Sequence, residues 1–265
     1  MSRLLIYASF ILCIAGCSLS DEFDVDIPGQ KKQFVVEGYL MSGYPPEITL
    51  IENNLLNEEL TLLSLWDAKV TITAGDKVYT LKNIFYRKKE RQVFINYKTD
   101  DTLRVPAGVS ISLLVVTKDN DTLTSTTKSL GNIHIDAFEA INNTIKLQLN
   151  NAEGNGSFYR ISISGFSADT IMGSQSSFYD YSLKPTSTLE FEWPKKYIKA
   201  DSLEVKIFAI HKEYYDYMQS VNNATSAYYD PFMTPEMIKS NITGGIGIFT
   251  YYTMGGRIVM RRGTM

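Results

Sequence analysis

The chain has 265 residues, of which 44% are apolar, 21% charged and 12% aromatic, a composition that excludes a disordered tail and supports one or two folded domains. Twenty-six Lys and Arg against 29 Asp and Glu leave a formal charge of −3, so the basic surplus of a nucleic-acid binder is missing. With 2 Cys and 2 His, neither a disulfide framework nor a multi-ligand zinc or iron–sulfur cluster can be assembled, and no metal or other cofactor is expected.

Arg3 precedes an apolar run from Leu4 to Ile14 that closes on Ala15-Gly16 and Cys17. A spanning helix needs about 20 such residues, so the run is expected to be a cleaved export signal over 1–16. Ile14-Ala15-Gly16-Cys17 resembles the bacterial lipobox, which implies cleavage before Cys17 and acylation of that residue. Cys13 would leave with the signal, so no free thiol would remain for redox or nucleophilic work. Residues 17–30 read as a lipidated acidic tether. Within it, Ser20-Asp21-Glu22-Phe23-Asp24 resembles the Bacteroidota lipoprotein export signal, implying the outer membrane with the body facing the cell exterior.

Period-two alternation then recurs, as in Ala68 to Thr73 and Thr144 to Leu149. Further strands are expected at Phe34–Leu40, Glu47–Ile51, Val78–Leu81, Val93–Tyr97, Ile111–Thr117, Leu123–Thr127, Ile133–Phe138, Phe158–Ser164, Leu189–Trp193 and Leu203–Ile210. Gly75-Asp76 and Asp119-Asn120-Asp121 supply turn chemistry between neighbours. Many short strands without long apolar helices between them predict an all-β fold of two immunoglobulin-like sandwiches, divided near Ser129–Asn132 into 31–130 and 131–265. One amphipathic helix is expected at about 211–223, where Tyr214, Tyr217, Met218 and Val221 repeat at three and four. Thr234 and Pro235 suggest a short capped turn after it, and Ile248–Tyr252 and Arg257–Met260 read as closing strands.

The lipobox and acidic leader, Phe34-Val35-Val36-Glu37-Gly38-Tyr39-Leu40, Trp66 to Ile72, Tyr214-Tyr215-Asp216-Tyr217 and Asn241 to Phe249 follow one another in an order that resembles the Bacteroidota lipoproteins of domain of unknown function 4249. That resemblance spans nearly the whole processed chain. It implies an accessory role in capture or uptake beside TonB-dependent outer-membrane receptors, and it carries over no catalytic residues.

Candidate chemistry competes with plainer readings. His134 and Asp136 share a predicted strand, but no Gly-x-Ser-x-Gly elbow accompanies them. Glu190 and Glu192 imitate a glycosidase pair but fit a solvated strand face. His211 stands at a strand-to-helix junction, and Arg87, Lys88, Lys89 and Arg91 fit a solvated loop. No enzyme is expected. The chain has 17 Tyr and 13 Phe, of which Tyr214, Tyr215, Tyr217, Tyr228, Tyr229, Phe232, Phe249, Tyr251 and Tyr252 crowd the last quarter, and the loop members Tyr228, Tyr229 and Phe232 are the candidate contacts for a partner or ligand. The expected function is therefore a non-catalytic, surface-exposed lipoprotein serving a TonB-dependent receptor. A stand-alone adhesin or glycan-binding module is the alternative, and a surface hydrolase a lesser one.

Four Asp-Ser/Thr-apolar tripeptides, centred on Thr102, Thr122, Thr170 and Ser202, resemble Bacteroidota O-glycosylation sites. Composition alone yields roughly one. Strand-start chemistry generates the same tripeptide, because Asp favours turns and Thr favours strands.

Overall fold

A computed structural model describes residues 33–53, 63–88, 93–141, 144–150, 157–168, 170–182, 188–197, 199–230, 232–234 and 236–261. The export signal, Cys17 and its tether, Lys89, Arg91, Asp169 and Pro235 lie outside them.

Alternation in the sequence becomes alternation in burial. β7 (Ser110–Val116) and β10 (Thr144–Asn150) bury every second side chain, so each lays one face on a core and wets the other. The remaining strands of the first half are β1 (Gln33–Leu40), β2 (Glu47–Asn53), β3 (Leu63–Ser64), β4 (Lys69–Ala74), β5 (Lys77–Lys88), β6 (Val93–Lys98) and β8 (Thr122–Lys128). The second half adds β9 (His134–Ile141), β11 (Phe158–Ser167), β12 (Thr170–Asp180), β13 (Thr188–Glu192), β14 (Ser202–Ile210), helix α1 (Lys212–Tyr229) and β15 (Ile246–Arg261).

One hydrogen-bonded path runs β12-β11-β14-β15-β1-β2-β6-β5-β4-β7-β8, with β3 on β2, and a second sheet is ordered β13-β10-β9. Long strands change partner along this path. β5 pairs with β4 through Lys77–Leu81 and with β6 through Lys82–Lys88, with a bulge between Asn83 and Tyr86. Such a strand turns the corner of a sandwich. The described residues accordingly form a mostly β, sandwich-like fold with one α-helix.

Two large apolar cores and a smaller third one beneath α1 result among the described residues. Val36, Leu50, Ile72, Leu113 and Phe249 belong to the first, and Ile145, Leu147, Ile161, Val205 and Ile207 to the second, while Leu130 packs against both. β15 serves both: Ile246–Tyr251 run parallel to β1, and Tyr252–Arg261 run antiparallel to β14. Closing strands expected at 248–252 and 257–260 are thus one element. Gly255-Gly256, which fall between the two expected strands, admit the side chains of Ile133 and Ile135, from which Cβ atoms there would lie 2.4 Å and 2.6 Å.

Two further differences have physical causes. β12 has no apolar alternation to reveal it, because both of its faces are largely exposed and backbone pairing with β11 holds it. The helix continues six residues past the expected end at 223, through Ala224-Thr225-Ser226-Ala227-Tyr228-Tyr229, so Tyr228 and Tyr229 close a helix instead of lying in a loop.

Candidate functional site

The first half of α1 is pinned to the sheet by aromatic side chains. Tyr214 and Tyr217 are buried against Tyr39, Phe158, Phe178, Phe208 and Tyr252. The Tyr217 hydroxyl donates to Glu37 Oε1 at 3.0 Å, and Arg160 Nη1 donates to the Tyr214 hydroxyl at 3.3 Å while its guanidinium lies 5.3 Å from the Phe208 ring centroid. Burial first, and the Glu37 carboxylate second, push the Tyr39 and Tyr217 hydroxyls far above the ordinary tyrosine range. These tyrosines are neutral packing groups.

Beyond Ser220 no side chain of α1 is buried. The chain returns alongside this exposed half. Asn223 Nδ2 donates to Glu236 Oε2, and the Lys239 amide donates to Ser220 Oγ at 2.9 Å, which in turn donates to the Tyr217 carbonyl at 2.7 Å. The base of the return is fixed to the first sandwich: Thr243 bridges Thr124, Ser125 Oγ donates to the Asn241 carbonyl, and the Asn241 amide exchanges two hydrogen bonds with Phe249. Gly244 and Gly247 have positive φ there, and a Cβ at Gly247 would stand 2.0 Å from the Val36 carbonyl oxygen. The glycine-rich stretch is therefore a close crossing over β1.

Helix end and return form a finger with an aromatic tip. Tyr228 is 83% exposed, Tyr229 78% and Phe232 96%, while Met237, 89% exposed, lies further back, between the bonds to Asn223 and Ser220. The two tyrosine rings meet edge to face at 5.1 Å. The Phe232 amide donates to Asp230 Oδ1 at 3.0 Å and the Asp230 amide to the Ser226 carbonyl at 2.9 Å, a turn that holds Phe232 away from the body. Sequence reasoning singled out Tyr228, Tyr229 and Phe232 but missed Met237 and Met233, which follow no periodicity and sit beside Thr234 and Pro235, residues that suggest only a turn.

The other candidates are scattered. His134 and Asp136 are exposed on β9, and Asp136 is the residue skipped where the β9–β10 register shifts. Glu190 faces Lys146 at 3.5 Å on an exposed surface. The His211 Nε2 lies 2.6 Å from the Lys128 carbonyl, tying the start of α1 to the end of β8. Thr122, Thr170 and Ser202 are each the first residue of a strand, and Thr102 precedes the fully buried Leu103. Asp201 accepts bonds from Ser167 Oγ and the Ala168 amide at the β11–β12 turn. Among the described residues no three His, Cys, Asp or Glu side chains gather as a metal site, and no helix is long and apolar enough to cross a membrane.

Fold and finger together define a sandwich-like β protein whose most exposed aromatic side chains, Tyr228, Tyr229 and Phe232, gather at the end of α1. The sequence model of the family described as a domain of unknown function (DUF4249) matches residues 20–257, and the chain belongs to that family. No curated protein matches it. Among solved structures it is similar to the chicken CNTN1 FN1–FN3 domains, with 12% identity, a TM-score of 0.29, and coverage of 88% of this chain and 68% of that one.

Proposed function

We propose that this protein is a non-catalytic docking subunit, anchored to the outer membrane through lipid on Cys17, that binds a TonB-dependent receptor through the finger tip. The observation that carries this reading is the tip itself: Tyr228, Tyr229 and Phe232, each more than three-quarters exposed, stand together at the helix end, where Asp230 bonds both back to the helix and on to the Phe232 amide. Isolated exposed apolar residues are ordinary, but a cluster of aromatic side chains is the composition of an interface centre. The leader motif supplies the membrane, and the resemblance read from the sequence supplies the receptor class. Three acyl chains on one residue exceed the two-signal threshold for stable anchoring.

Affinity purification of the full chain from its native membranes in mild detergent tests this. The expected result is a TonB-dependent receptor recovered with the wild-type protein, and radiolabelled palmitate incorporated into it but not into Cys17→Ser. Failure to recover a receptor, with palmitate incorporated, would leave the adhesin reading in its place.

A further inference from the structure

Among the described residues the sheets present five outer strands, and four of them are blunted, β3 by having only two residues. β8 is engaged by the Asn241–Thr243 segment through the Thr124–Thr243 bridge and the Ser125 hydroxyl. β9 is bulged at Asp136 and carries Glu139, and β13 has only 5 residues, two of them Glu190 and Glu192. Charges, bulges and shortness are the usual means of preventing edge pairing.

β12 has little such protection. It is 11 residues long, contains no Pro or Lys, and carries no charged residue before Asp180. Its register with β11 is regular from Gly173 to Asp180. Which backbone groups are free follows from the ladder. The Tyr181 amide donates to the Ser157 carbonyl at 2.8 Å, so 157 and 181 are a hydrogen-bonded pair, and odd-numbered residues of β12 direct their amides and carbonyls to β11. Ser174, Ser176, Phe178 and Asp180 direct theirs outward, and among the described residues no strand takes them.

We infer that β12 is a homodimerisation edge, pairing antiparallel with β12 of a second copy about a two-fold axis at Ser176. That centre uses the uncharged stretch Gly173–Tyr179 and leaves Asp180 outside it. Ser176 pairs with itself and Ser174 with Phe178, each pair exchanging two backbone bonds. No like charges meet across the axis, whereas self-pairing of β13 or β9 would place acid near acid. A second copy is the occupant that supplies this neutral, matched strand with no other component, joining the two large sheets into one. This surface is separate from the finger, and its failure would leave the docking reading untouched.

The test is the mass of the full-length protein in mild detergent, with the detergent contribution subtracted. Wild type is expected to be a dimer. Ser176→Pro is expected to be a folded monomer with thermal unfolding close to that of wild type, because the amide it removes makes no bond to β11, the one bond lost, from Arg160 Nε to Ser176 Oγ, is exposed, and Pro is tolerated on edge strands. Ser176→Cys is expected to yield a disulfide-linked dimer under mild oxidation, since Cα atoms of a hydrogen-bonded pair lie about 5.5 Å apart, within disulfide range. The exposed Lys118→Cys is the control. A monomeric wild type, a dimer that survives Ser176→Pro in a folded protein, or Ser176→Cys linking no faster than Lys118→Cys would each overturn the inference. Loss of a receptor, and not of a second copy, on Ser176→Pro would overturn it as well, by assigning the edge to that partner.

Discussion

Asn241→Ala is the sharpest probe of how the finger is held. The Asn241 side chain behaves as a one-residue strand: its Nδ2 donates to the Phe249 carbonyl at 2.7 Å, and its Oδ1 accepts the Phe249 amide at 2.9 Å. Phe249 is 0% exposed, so water cannot replace either bond. An unsatisfied buried group costs about 1–3 kcal/mol, and two of them place the expected loss near 4 kcal/mol, a large share of the roughly 5–15 kcal/mol that stabilises a typical domain. Asn241→Asp separates hydrogen bonding from side-chain volume. Its carboxylate still accepts the amide but sets a second oxygen against the Phe249 carbonyl, which protonation would convert into a donor. Its stability is therefore present in acid and lost as pH rises, opposite in sign to an ordinary paired carboxylate. Urea unfolding of wild type and both variants at about pH 7 and about pH 5 gives the comparison. A loss below about 1 kcal/mol for Asn241→Ala, or an Asp variant indifferent to pH, would refute the reasoning.

Gly247→Ala is expected to prevent normal folding, because the added Cβ meets the Val36 backbone at 2.0 Å, whereas Gly43→Ala, also at positive φ but with nothing within 4 Å, is expected to cost only about 1–2 kcal/mol; thermal unfolding of the pair distinguishes contact from backbone strain. Burial alone would raise the Glu204 carboxyl, but hydrogen bonds from Lys206 and Arg257 outweigh it and hold it below the ordinary range. A depressed carboxylate stabilises above its unfolded value and loses that contribution as pH falls through the folded one, so the acid limb of wild type should be steeper than that of Glu204→Gln below about pH 4. Tyr39 and Tyr217, raised by burial, contribute stability below about pH 10 that is lost as pH rises further. Tyrosinate absorbance should accordingly show a late fraction appearing only with unfolding, and a fully reversible titration of all tyrosines in the folded protein would contradict that. An intact mass equal to polypeptide plus lipid would assign the tripeptides at Thr122, Thr170 and Ser202 to strand initiation alone.

The fold was legible where burial imposes a period. β4, β7, β10 and the Tyr214–Tyr217 turn of α1 each lay one face on a core, and that face appears directly in the order of residues. β12 left no such imprint, because up to Ser176 it is largely exposed on both faces and is specified by its neighbour's backbone, with only Phe178 and Tyr179 packed on the cores. The second half of α1 was equally silent, since no side chain from Ala224 to Tyr229 is buried and the bonds to Glu236 and Lys239 come from Asn223 and Ser220, before them. Tyrosine-rich composition marked the last quarter as unusual but could not sort its members. Tyr214, Tyr217, Tyr251 and Tyr252 are core, and Tyr228 and Tyr229 are surface, a division set by where the sheet beneath the helix ends. Asn241 to Gly247 was recognisable as a motif, while its task of crossing β1 depends on a strand two hundred residues earlier in the chain.

The docking reading stands or falls on the tip. Tyr228→Ala, Tyr229→Ala and Phe232→Ala should each leave the unfolding midpoint near that of wild type, because the removed rings are exposed. At about 2 kcal/mol for an aromatic residue at an interface centre, each should weaken receptor capture roughly 30-fold in a binding titration with solubilised receptor. A triple variant that is fully folded and still captures receptor with wild-type affinity would contradict the account.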